Sequence, residues 1–320
     1  MEDADYQRLL EVFYPFYFLS TMSGQLMTLY LILMHTPKNM RVLKYILTNT
    51  TVSHICAITI CCCCQFRMIT TQIPVQLRCY GLARYLEAYI SFSLHEFLQF
   101  FVFASETSVV VTFYFKYVTM TGLKMRNIEF LKSFVAFHIP VLVSISVMTY
   151  TVIHDVLPSE VRQKYADLNL DVSEYSSIGI LTLTTVPSRI NFILMCTAGL
   201  FYPLICVCFR IKTLDIIDTK LLQLSVIRKK QHKQFITGLT IQAFLPMVCY
   251  TPVFGLYIFC LTTGTEILFQ QYFMFISPVF PALLDPLVTC SFVTPYRRKL
   301  MTWCGIKKPN NVSSISVVMM

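Results

Sequence analysis

The chain has 320 residues, is 55% hydrophobic and only 13% charged, and has a mean hydropathy of +0.61. A soluble domain carries about 25% charged residues, so an ordinary water-soluble enzyme or binding module is excluded. The net charge of +9 is split among four separate stretches, which disfavours nucleic-acid binding and fits residues lying against anionic lipid.

Seven long apolar segments follow one another, at roughly 12–34, 43–65, 86–115, 131–153, 187–209, 235–261 and 267–292. Each can cross a bilayer, which takes about 20 residues of helix. In lipid every backbone N–H and C=O must bond inside the protein, so only helices or a closed barrel can span. Barrel strands would alternate over about 10 residues, and these segments are longer and apolar all round. The expected fold is all-α: a seven-transmembrane helix bundle over residues 1–304, followed by a disordered cytosolic tail at 305–320. The length leaves no room for a second folded domain.

Before the first segment stand Glu2, Asp3, Asp5 and Glu11. A cleavable signal would be positive there, so the first segment is expected to insert as an uncleaved anchor. Of the 26 basic residues, 19 fall in the 35–44 loop, the 116–132 loop, the 210–233 stretch and the part after 292. Cytosolic loops are enriched in Lys and Arg, which puts the N-terminus outside and the C-terminus in the cytosol. Arg67, Arg78 and Arg84, in the 66–85 loop, run against that rule. The polar 154–186 loop is expected to lie across the outer mouth of the bundle.

The second segment ends in the run Cys61–Cys64. Four consecutive helix positions point in four directions, so they do not converge on a metal, and packing explains them. Cys79 stands just before the third segment on the outer, oxidising side. The 154–186 loop has no cysteine, which leaves Cys260 as its candidate disulfide partner. The sequons at Asn49 and Asn311 fall in the membrane and the cytosol, where neither is glycosylated.

In the third segment Ser93, Glu96, Gln99, Phe103 and Glu106 share one helix face. Glu96 fits two readings: the wall of a polar ligand pocket, or a protonated carboxyl bonded to a neighbouring helix. Glu106 lies deeper and fits an internal latch. His95 is off this stripe and is read as packing, as are His54 and His138. The fifth segment opens with Pro187, Ser188, Arg189 and Asn191. Arg189 either snorkels to the interface or faces an anionic ligand or Glu96. Gln242, Pro246, Tyr250 and Pro252 mark the sixth segment, and Pro278, Pro281, Asp285 and Pro286 the seventh. Proline kinks a helix, and Asp285 beside Pro286 fits a polar hinge. Glu96, Gln99, Arg189, Asn191 and Tyr250 are therefore the ligand-pocket candidates. Glu106, Lys116, Pro246, Asp285 and Pro286 are the switch candidates. No His-Glu-x-x-His or Gly-x-Ser-x-Gly motif occurs, so neither an enzyme, a cofactor nor a metal site is expected.

Asp285-Pro286-Leu287-Val288-Thr289 resembles the Asn/Asp-Pro-x-x-Tyr motif of rhodopsin-type receptors, with Thr for Tyr. The residues Phe292 to Lys299 that follow resemble the start of an amphipathic eighth helix. Tyr114-Phe115-Lys116-Tyr117 stands in place of Asp-Arg-Tyr, with Lys116 at the Arg position; the sixth-helix Trp and the second-outer-loop Cys are absent. The stretch His232 to Pro246, the Leu123–Leu131 loop and the ending from Pro278 to Arg297 are similar to nematode serpentine chemoreceptors, most of all class delta. The likeness covers roughly 12–304. It implies a G-protein-coupled-receptor-like chemoreceptor in the plasma membrane, in the cilia of sensory neurons. A small molecule would bind in the bundle, and a heterotrimeric G protein would meet Lys124, Arg126, Arg228, Lys229, Lys230 and Arg297. The alternative, a ligand-gated channel or transporter, is opposed by the odd helix count, the absence of an internal repeat and the lack of a ring of pore charges.

Overall fold

The computed structural model describes residues 3–37, 40–70, 75–122, 127–155, 176–181, 186–219 and 226–306. Six long helices dominate: α1 (Asp3–His35), α2 (Arg41–Cys64), α3 (Ala88–Thr121), α4 (Asn127–Asp155), α5 (Val186–Thr219) and α6 (Val226–Thr263). By length and composition α1, α2, α3, α4 and α6 each qualify as a membrane span. Large apolar side chains face outward along them: Phe16, Leu142 and Val248 are 71%, 52% and 67% exposed. In water such a surface would drive aggregation; facing lipid it carries no penalty, and the protein is a multi-pass membrane protein. The third helix is central, with 61% of its most apolar stretch buried against 11% for α4.

The seventh apolar segment is not one helix. It consists of α7 (Leu268–Phe273), a turn, one 3-10 turn (Ser277–Val279) and α8 (Pro281–Phe292). Proline opens the last two pieces, where its missing N–H costs nothing. Past Val293 the chain bends by 91° into α9 (Thr294–Trp303). The predicted tail lies outside the described residues from 307 onward.

Helix ends are set locally. Gly122 closes α3 with φ +79°, the left-handed conformation glycine adopts without a Cβ clash. Gln65 closes α2 in the same region with φ 48° and donates its N–H to the Cys61 carbonyl at 2.9 Å. From there the chain reverses into strands rather than the irregular loop expected. The strands β1 (Phe66–Ile69), β2 (Val75–Cys79) and β3 (Ser176–Leu181) form one antiparallel sheet in the order β1-β2-β3. This sheet caps the end of the bundle where α1 and α7 begin, hereafter the sheet end; the opposite one, with α9, is the tail end. Every β1 residue is buried, Arg67 included, while β2 alternates apolar and polar residues from Val75 to Cys79. An apolar cluster beneath the sheet joins Phe66 and Leu77 to Phe92 of α3 and to Phe275 and Ile276 beyond α7.

Candidate functional site

Two buried polar clusters occupy the bundle, one in each half. In the sheet-end half, α3 presents Glu96 at 5% exposure and His95 at 0%. His95 Nδ1 lies 3.2 Å from Glu96 Oε1, and its Nε2 is 3.1 Å from Gln99 Nε2. Gln99 Oε1 accepts from Asn191 Nδ2 at 3.1 Å, and Asn191 Oδ1 accepts from Ser144 Oγ at 3.2 Å. Glu96, His95, Gln99, Asn191 and Ser144 thus form one chain of contacts across α3, α5 and α4. The second carboxylate oxygen, Glu96 Oε2, is buried with no hydrogen-bond partner among the described residues. Around the imidazole stand Phe66, Phe92 and Phe275, with ring centroids at 5.5, 5.7 and 5.1 Å.

His95 is buried, as its reading as a packing residue expects, and both ring nitrogens also have polar partners. It sits next to Glu96 in the chain, yet both are inside because α3 is buried on nearly all sides. Two further pocket candidates lie on α5 and α6. Arg189 is exposed, and Tyr250 packs against Phe254 at 5.1 Å. Glu106 lies one turn beyond Phe103 and is close enough to Tyr202 and Tyr250 to act on both electrostatically.

Above the relay, Arg67 of β1 is buried. Its guanidinium donates to Gln271 Oε1 at 2.9 and 3.0 Å and to the Tyr272 hydroxyl at 2.7 Å. It also pairs with Asp3 at 2.8 Å and donates to the Tyr80 hydroxyl at 3.2 Å. The Tyr272 ring lies 4.3 Å from its carbon centre, within cation–π range. Burial alone would lower its pKa, but Tyr80, Asp3 and Tyr272 outweigh burial and raise it. Arg67, one of the three arginines that run against the charge rule, is therefore an internal tie between β1, the start of α1 and α7.

Deeper in the bundle, Asp285 of α8 gathers four helices. Gln242 of α6 donates to Asp285 Oδ1 and, at 2.9 Å, to Thr289. His54 of α2 stands 3.8 Å from the other carboxylate oxygen. Gln25 of α1 lies 3.2 Å from His54 Nδ1 and donates to the Ala282 carbonyl at 2.6 Å. That carbonyl is free because Pro286, four residues on, has no N–H to offer it. Gly24 permits the approach: a Cβ there would lie 3.2 Å from Pro286 Cγ. Pro246 likewise releases the backbone carbonyl of Gln242. A cavity of about 10 Å³ touches Asp285, Gln242, Thr289, Thr50, Thr51 and Thr112. It has room for about one water, and the cluster is a joint between four helices.

At the tail end Lys116 of α3 is buried. Its Nζ lies 3.0 Å from His232 Nδ1 of α6 and 5.3 Å from the Phe235 ring centroid. Arg297 of α9 reaches Gln234 at 3.5 Å, and Tyr296 meets Thr36, just past the end of α1, at 2.7 Å. Lys229 is half-buried and Lys230 exposed. Lys124, Arg126 and the Arg228 side chain lie outside what is described. The pairing suggested for Cys79 and Cys260 is not found: both are free thiols, and Cys79 faces Cys64 instead.

The family model for the serpentine type 7TM GPCR chemoreceptor Srd matches residues 10–302. The chain is 45% identical to serpentine receptor class delta-40 of Caenorhabditis elegans over 316 residues, 97% of each. It is 32% identical to class delta-44 over 313 residues, and 31% identical to class delta-45 over 309, both from the same organism. These alignments cover 96% or more of every chain involved.

Proposed function

Because the chain belongs to the Srd family of serpentine seven-transmembrane chemoreceptors, we propose that it binds a small molecule in the sheet-end half of the bundle and signals through a heterotrimeric G protein at the tail end. The sheet end faces outward, with the N-terminus outside and the C-terminus in the cytosol; the excess of Lys and Arg on the other side supports this reading. The receptor works at the plasma membrane, in the cilia of sensory neurons.

One observation carries the ligand site. Glu96 Oε2 is buried without a partner, at the end of a polar chain that crosses three helices. An unpaired buried acceptor is costly, and a ligand that donates to it relieves that cost. Phe66 and Phe275 pack on the adjoining His95 ring, and an aromatic wall suits a compact organic molecule with one polar group. Gln99 and Asn191 extend the site toward α5, while Arg189 and Tyr250 lie at its edges. Ligand binding shifts an equilibrium between packings of the bundle that exists beforehand. The elements that change are the Asp285 joint with Pro246 and Pro286, Glu106 beside Tyr202 and Tyr250, and the Lys116–His232 contact. Lys124, Arg126, Arg228, Lys229, Lys230 and Arg297 face the G protein, and α9 lies on the inner leaflet as an eighth helix.

The test is a cell line carrying the chain tagged at both termini. Antibody access to the N-terminal tag alone in intact cells, together with odorant-evoked, G-protein-dependent calcium or cyclic-nucleotide signals, is expected. Replacing Glu96 by Gln keeps surface delivery and shifts the concentration for half-maximal response at least tenfold. An unchanged response at equal surface level removes Glu96 from the site.

A further inference from the structure

The cysteines at the sheet end are unused by the receptor mechanism, and two of them meet. Cys64 ends α2 and Cys79 ends β2, 15 residues later. Both are fully buried. The Cys79 thiol donates to the Cys64 carbonyl oxygen at 2.9 Å. The backbone holds them together independently of the sulfurs. Gly81 donates its N–H to the same Cys64 carbonyl at 3.0 Å, and Tyr80 donates to the Gln65 carbonyl at 3.3 Å. Gly81 is pressed so closely on the end of α2 that a Cβ there would lie 2.3 Å from the Cys63 carbonyl oxygen.

We propose that Cys64 and Cys79 form a disulfide in the mature protein, stapling the β1–β2 hairpin to the end of α2. The inference rests on the outward orientation of the sheet end, because that side of the membrane passes through an oxidising lumen. Each thiol gives up its proton, one S–S bond forms, and the electron pair passes by thiol–disulfide exchange to the disulfide of a secretory-pathway oxidoreductase, which leaves as a dithiol with the two protons. The bridge holds β1 in register beneath its Arg67 tie. It also selects one residue from the run Cys61–Cys64, the one whose carbonyl the Cys79 thiol meets.

Peptide mass spectrometry on the full-length receptor tests this directly. Free thiols are alkylated in denaturant without reductant, and the chain is cut with trypsin. Cleavage after Lys44, Arg67, Arg78 and Arg84 places Cys79 in the peptide 79–84 and Cys64 in 45–67, with Cys56, Cys61, Cys62 and Cys63. The expected result is one linked species joining these peptides in most molecules, with fragmentation assigning the bond to Cys64. Bonding to another cysteine of that peptide, to Cys260 or between chains overturns the pairing. So does full alkylation of both thiols. The N-terminal tag is scored in the same cells: free thiols with the tag outside refute the disulfide alone, and free thiols with the tag inside refute the orientation with it. A second measurement compares Cys64→Ser, Cys79→Ser and the double variant. A bridge predicts one common fall in surface level for all three, whereas thiols that merely pack give additive losses and overturn the proposal.

Discussion

Arg67 shows how a single side chain organises the sheet end. It is buried while its partner Asp3 is about half exposed, so most of its support comes from Gln271, Tyr272 and Tyr80. Hydrogen bonds to a charged group are worth about 1.5–3 kcal/mol, and a planar guanidinium holds several at once in a way an ammonium does not. Replacing Arg67 by Ala should destabilise the receptor by about 2–3 kcal/mol, read as a lower melting temperature in detergent and reduced surface delivery. A melting temperature within error of the wild type would remove the tie from the account. The residue was visible in the sequence only as an exception to a charge rule. That exception was the usable signal, because a charge on the wrong side of a membrane needs an internal partner. His95 gave no such signal. Helical spacing assigns faces relative to one partner, and α3 has neighbours all around it. Glu96, Gln99 and Asn191 were legible as polar groups costly in lipid, but which of them touch was not. Arg189 illustrates the limit: its place at the edge of the fifth segment fitted two readings, and the fold left it exposed.

Among the elements, α8 is the piece whose packing is most constrained. Prolines break the seventh segment, and close contact with α1 and α6 holds what remains. Gly24 lets α1 reach Pro286, and Gly238 lets α6 reach Phe292. A Cβ at Gly238 would fall 2.5 Å from Phe292 Cβ, whereas at Gly255 on the same helix nothing lies within 4 Å. Gly238→Ala should therefore cost about 1–3 kcal/mol through overpacking. Gly255→Ala should be neutral or stabilise by up to about 1 kcal/mol through helix propensity. Thermal denaturation of both variants in one detergent separates the cases, and equal melting temperatures would contradict the close α6–α8 contact. The prolines themselves were plain in the sequence. Their consequence was not: Pro286 releases the Ala282 carbonyl, and the side chain that takes it up comes from Gln25, 257 residues away.

At the scale of the whole molecule, α3 links the two halves. It carries Glu96 in the sheet-end relay and Lys116 in the contact with His232, about 30 Å apart at the rise of an α-helix. Removing the Lys116 side chain frees α6 from α3 at the tail end. Lys116→Ala is expected to raise unstimulated signalling several-fold at equal surface level, since 1.4 kcal/mol corresponds to a tenfold shift in an equilibrium. Unaltered basal output would mean that this contact does not restrain the bundle.

The sequence by itself determined that this is a helical membrane protein, roughly where its apolar segments lie, and which receptor family it resembles. Those conclusions rest on local physics: lipid demands long apolar helices, and motifs are read residue by residue. The tertiary structure decided what sequence spacing does not encode. It paired the strands of the 66–85 and 154–186 stretches into one sheet, chose Cys64 over Cys260 as the neighbour of Cys79, and gathered Gln25, His54, Gln242 and Asp285 at one joint. Each of these is a contact between segments distant in the chain, and its partner is set by how the helices pack together.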